Sequence, residues 1–158
     1  MSTKNHATQN IDFVLDMLLV KFNHLRDATQ ALEKKSGLLT AFIPAILTSS
    51  LVLSKNLISY NLYTFGLFLL LGALVTLCII HYPTKWSYPP NEDKLYSQES
   101  LNADLTDLKN QMAADIKQAF TDNLKTHQWK AGLYEFAVFL VTVGLIISVL
   151  ALFYYNWK

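Results

Sequence analysis

The chain has 158 residues, of which 52% are hydrophobic and 16% charged, with a formal net charge of +1. That balance suits one small membrane unit rather than two soluble domains. It excludes nucleic-acid binding driven by bulk charge, which needs a clear basic excess.

The first 35 residues predict a cytoplasmic amphipathic helix. Ile11, Leu15, Leu18, Phe22, Leu25, Thr29 and Leu32 alternate four and three residues apart, which puts them on one helix face. Gln9 or Asn10 could open that helix, with Asp12 placed in its first turn. A first charge-free apolar run follows over 36–54, long enough for a transmembrane helix, which takes about 20 residues. Its polar lead-in argues against a secretory signal peptide, which is apolar close to its start. Gly37, Ala41, Ala45 and Ser49 recur every fourth residue in this run, a small-residue stripe that would let another helix approach closely. Pro44 removes one hydrogen bond and frees the carbonyl of Thr40, so a kink is expected, with Thr40 and Thr48 placed to satisfy freed carbonyls. Gly37, Ala41, Pro44, Ala45, Thr48 and Ser49 are accordingly the candidate helix-packing or pore positions.

A second span is expected over 57–82, anchored at the membrane surfaces by Tyr60, Tyr63 and Tyr82 and ended by Pro83. Cys78 lies inside it without a partner in the chain and reads as a buried apolar residue. The segment 83–130 then holds a connector rich in proline and aromatic residues, followed by a second amphipathic helix. Ser97 or Ser100 would cap that helix, and Leu101, Leu105, Leu108, Met112, Ile116, Phe120 and Leu124 lie along one side of it. It runs on through His127, Trp129 and Lys130 into a third span over 131–155, with Tyr154, Tyr155, Trp157 and Lys158 at the far surface. Both amphipathic helices lead toward the membrane, so they would pack in parallel as a helical stalk.

Of 13 Lys and Arg residues, eleven lie in 1–35 and 85–130; Lys55 and Lys158 are the exceptions. The positive-inside rule therefore places both charged segments and the N-terminus in the cytoplasm, with the C-terminus outside. The fold class expected is all-α: three transmembrane helices and two amphipathic cytoplasmic helices.

Catalytic signatures are missing. The sequence has no HExxH, no phosphate-cradling glycine loop, no GxSxG and no CxxC pair, so an enzyme is not expected. His6, His24, His81 and His127 are scattered; His24 and His127 could meet, but two histidines do not make a metal site, and neither metal nor cofactor is expected. Glu135 falls in the first turn of the third span, within reach of headgroup water, Lys130 or Lys35. Lys21, Arg26, Lys117, Lys125 and Lys130 are cations suited to an anionic ligand such as a nucleotide phosphate, and Trp129 or Phe120 could stack on a base. The same lysines also read as a solvated face paired with Asp27, Asp115 and Asp122.

Two short stretches carry a family resemblance: Lys35-Ser36-Gly37-Leu38-Leu39 at the start of the first span, and Asp122-Asn123-Leu124 through Lys130 before the third. With the order of helices from Phe13 to Tyr155, the chain resembles the small membrane effectors of bacterial anti-phage signalling, the Pycsar transmembrane effectors and SLATT-type proteins. Where those relatives often carry Asp-x-Lys-Ala, this chain reads Glu33-Lys34-Lys35-Ser36. The resemblance implies a multi-pass protein of the bacterial inner membrane. It would sense a cytoplasmic signal, often a nucleotide second messenger, and self-associate or open to impair the membrane. The other reading is a non-enzymatic partner subunit whose heptad helices dock a separate cytoplasmic protein.

Overall fold

The computed structural model describes residues 2–53, 61–88 and 104–157. Among them are three helices and no strand: α1, Ser2–Leu53; α2, Asn61–Ile80; and α3, Leu105–Trp157. The expectations placed on Lys55, Tyr60, Pro89, Pro90, Tyr96, Ser97, Ser100, Leu101 and Lys158 lie outside the described residues.

α1 begins at Ser2, so Gln9 and Asn10 lie inside it rather than at its start. It continues unbroken past Ser36, Gly37 and Pro44. Thr40 and Thr48 donate to the carbonyls of Ser36 and Pro44, both at 2.8 Å, rather than to the carbonyl of Thr40 that the proline frees. At the start of α3 the carbonyl of Asp104 accepts from the amides of Asp107 and Leu108 at 3.0 and 3.1 Å. Two of the helices, α2 and α3, are long and apolar enough to cross a membrane.

The chain forms two compact units. The first joins Met1–Thr29 to Thr84–Gln128. Here α1 buries Leu15, Phe22, Leu25 and Thr29, a heptad seam that excludes water on one face. From α3 come Ile116, Ala119 and Asn123. Phe120 and Leu124, expected on the inward row, are only half-buried, because the smaller Ala119 and the hydrogen-bonded Asn123 take the contact. Lys109 pairs with Asp12, and Thr29 meets His127, at sequence separations of 97 and 98. That near-constant offset fixes the two helix segments as parallel and in register.

The second unit joins Gln30–Pro83 to Trp129–Lys158. It is a three-helix bundle with a core of Ile43 from α1, Leu70, Ala73, Leu77 and Ile80 from α2, and Ala137 from α3. A smaller cluster places Tyr63 against Ala151. Tyr63 is a core residue, not a surface anchor: it is 1% exposed, and its hydroxyl donates to the carbonyl of Ser50 at 2.9 Å. Cys78 is exposed on the outside of α2, off the face that carries Leu70, Ala73 and Leu77.

α2 and α3 approach each other closely at a pair of glycines. A Cβ on Gly66 would collide with Ser148 Oγ and lie 3.0 Å from the carbonyl oxygen of Gly144. A Cβ on Gly144 would in turn lie 3.0 Å from the carbonyl oxygen of Gly66. Two glycines opposite each other let the backbones meet, as small residues do between membrane helices. Ser148 Oγ is buried at this crossing without a hydrogen-bond partner. A buried hydroxyl without a partner costs about 1–3 kcal/mol. Ser148→Ala is therefore expected to leave stability unchanged or raise it by up to about 1 kcal/mol, measured by thermal unfolding in detergent.

Candidate functional site

In the second unit, polar side chains gather where the charged sequence gives way to the apolar runs. Lys130 of α3 is buried, with a side chain only 4% exposed, and its Nζ lies 2.6 Å from Glu33 Oε1 of α1. Glu33 keeps 40% of its side chain exposed. A buried ammonium needs a compensating charge, because desolvation without one is expensive. Three residues on, Ser36 is fully buried. Its hydroxyl donates to the Glu33 carbonyl at 2.9 Å and lies 3.0 Å from His81 Nε2. A hydroxyl has one proton, and this one is committed to Glu33, so His81 Nε2–H donates to Ser36 Oγ. Gly37 completes the contact: the His81 ring lies 3.7 Å from where a Cβ would stand. The cluster thus ties α1 to α3 through an ion pair and to the end of α2 through an imidazole. These contacts neutralise a buried charge and position the three helix segments.

In the first unit, Asn123 is 1% exposed and clamps the connector. Its Oδ1 accepts from the Ser87 amide at 3.0 Å, and its Nδ2 donates to the Ser87 carbonyl at 2.9 Å. One side chain thereby imitates the paired bonds of a neighbouring strand. Beside it Trp86 packs edge-on against Phe22, with centroids 6.2 Å apart and planes at 66°. The Trp86 Nε1 is buried without a hydrogen-bond partner. Thr29 donates to the Leu25 carbonyl at 2.8 Å and lies 2.9 Å from His127 Nδ1, so this imidazole is also the donor. Asn123→Ala is expected to release residues 84–88, with faster tryptic cleavage after Lys85 and faster exchange of the Ser87 amide. The two lost bonds are worth about 1–2 kcal/mol together, since the Ser87 backbone can reach water once freed.

Of the cations suited to an anionic ligand, Lys21, Arg26, Lys117 and Lys125 are exposed. Lys117 and Lys125 lie off the α3 face that buries Ile116, Ala119 and Asn123. Lys130 is withdrawn into its ion pair, whereas Trp129 is half exposed. His24 is exposed, and His127 meets Thr29. Glu135 is exposed on α3, and Lys130 bonds to Glu33. Along α1, Ala41, Pro44, Ala45, Thr48 and Ser49 face away from the bundle core, and only Gly37 of that row meets another helix terminus. No group of three potential metal ligands occurs among the described residues.

Sequence reasoning placed none of the partners that make these sites. Asn123 stood in a recognised stretch without a role, and its partner Ser87 is 36 positions away. The row expected to face inward ran through Phe120 and Leu124 and passed Asn123 by. No family model, no curated protein and no solved structure matches this chain.

Proposed function

We propose that the chain is a self-associating, three-span protein of a bacterial inner membrane that impairs or permeabilises the membrane when its cytoplasmic helical stalk receives a signal, in defence against phage. The observation that carries this reading is the surface of the three-helix unit. Leu38, Phe42, Phe68, Phe139, Leu150 and Phe153 stand exposed around it. Water does not tolerate so large an apolar surface on a monomer, whereas lipid covers it without cost. The apolar end of α1, from Ser36 to Leu53, supplies the third crossing beside α2 and α3. The charge distribution sets the N-terminus in the cytoplasm and the C-terminus outside. The resemblance in helix order and in the Lys35–Leu39 and Asp122–Lys130 stretches adds the defence role.

The test is induced expression in a bacterium carrying a membrane-potential dye, with phage challenge, alongside ion release from liposomes holding the purified protein. Depolarisation that follows challenge supports the reading. Intact gradients in cells and liposomes under every condition overturn it.

A further inference from the structure

Helix α1 carries a second apolar seam in the first unit, opposite the one it buries. Phe13, Met17 and Val20 are 65, 44 and 54% exposed. They repeat at four and three residues, and His24, also exposed, takes the next place. In heptad terms Phe13 and Val20 are d positions, and Met17 and His24 are a positions. The inward seam of Leu15, Phe22, Leu25 and Thr29 lies on the other side of the same helix. Lipid does not account for the outer seam: Phe13 precedes Ser36 by about 35 Å of helix at 1.5 Å per residue.

The flanking charges identify what does. Asp16 occupies the g position before Met17, and Lys21 the e position after Val20; both are exposed. Five residues apart, they stand about 140° from each other and cannot pair within one helix. Neither has an opposite charge three or four residues away on α1. In a parallel coiled coil, however, g of one helix faces e of the other five residues further on. We infer that the Phe13–His24 face of α1 binds the same face of a second copy of this chain, in parallel, with Asp16 of each copy paired to Lys21 of the other. A two-fold pair makes that contact twice. An antiparallel pair sets g against g and e against e, so it cannot bring Asp16 to Lys21. Copies inserted in one membrane with one topology can meet only in parallel, so the charge order matches the geometry available. This inference rests on the self-association proposed above and names its cytoplasmic surface.

The test uses the full chain in nanodiscs with Cys78 replaced by serine. Met17→Cys and Val20→Cys are expected to cross-link copy to copy on mild oxidation, and Arg26→Cys is not. Asp16→Lys should weaken association roughly tenfold, and Asp16→Lys with Lys21→Asp should restore it. Lys21→Asp alone provides a second charge variant should Asp16→Lys fail to fold, which circular dichroism reports. Oligomers that persist with no cross-link at Met17 and no response to charge overturn the seam while leaving self-association standing. A monomer at every concentration overturns both. Cross-linking of Met17→Cys to a different protein, or Asp16→Lys with Lys21→Asp no tighter than Asp16→Lys, also overturns the seam.

Discussion

Gly66→Ala is expected to lower the stability of the detergent-solubilised chain by about 1–3 kcal/mol, the usual range for forcing an extra carbon into a packed interior. The new methyl would meet Ser148 Oγ, and rotating that hydroxyl away does not make room. The Gly144 carbonyl oxygen and the Ser148 amide nitrogen stand 3.0 and 3.2 Å from the added carbon, and both are backbone. α2 and α3 must therefore separate by a few tenths of an ångström along the whole crossing. Gly72→Ala is the matched control. There the nearest atom is Leu140 Cδ1 at 3.7 Å, an ordinary contact, so the change should be neutral or slightly stabilising. Thermal unfolding of the two variants side by side checks the difference. Equal loss in both would mean that glycine at Gly66 is not required by the close approach.

Glu33→Ala and Lys130→Met should differ sharply although they remove the same ion pair. Without Glu33, the ammonium of Lys130 stays in a site only 4% exposed, with no partner among the described residues. Such losses cost about 3–5 kcal/mol in a fully buried pair. Glu33 is 40% exposed, so water already reaches the site, and about 2–3 kcal/mol is expected. Without Lys130, the carboxylate of Glu33 can turn to solvent, and methionine fills the volume left behind. That change should cost below about 1 kcal/mol. The double variant should unfold close to Lys130→Met, and the non-additivity measures the coupling. A Lys130→Met loss as large as that of Glu33→Ala would contradict the asymmetry of burial.

Periodicity made the inward face of α1 legible. Leu15, Phe22, Leu25 and Thr29 recur at heptad spacing, and all four are buried. The same reasoning shifted the α3 face by a fraction of a turn, because hydropathy gives Ala119 and Asn123 little weight against Phe120 and Leu124. Packing rewards the small side chain and the satisfied amide instead. On α1 the small residues point the other way. Ala41, Ala45 and Ser49 recur as a close-packing stripe would, yet they face outward, and the close approach is made by Gly66 and Gly144. Nothing local in the sequence links glycines so far apart. Lys130 has the same difficulty: a lysine beside a tryptophan reads as a ligand-binding cation until Glu33, 97 positions away, is seen to hold it.

The glycine crossing has a mechanical consequence for the three-helix unit. α2 and α3 touch backbone to backbone, so neither can roll or slide without breaking that fit, and the two behave as one stiff plank. α1 adds only Ile43 to the fully buried apolar core. Leu39, Ile46 and Leu47 pack against that core half-buried, and polar bonds at Glu33 and Ser36 and from the Tyr63 hydroxyl to Ser50 add to them. Side-chain contacts of this kind can be exchanged one at a time, whereas interlocked backbones cannot. A change of shape in the unit therefore costs least as a displacement of the first helix across the other two.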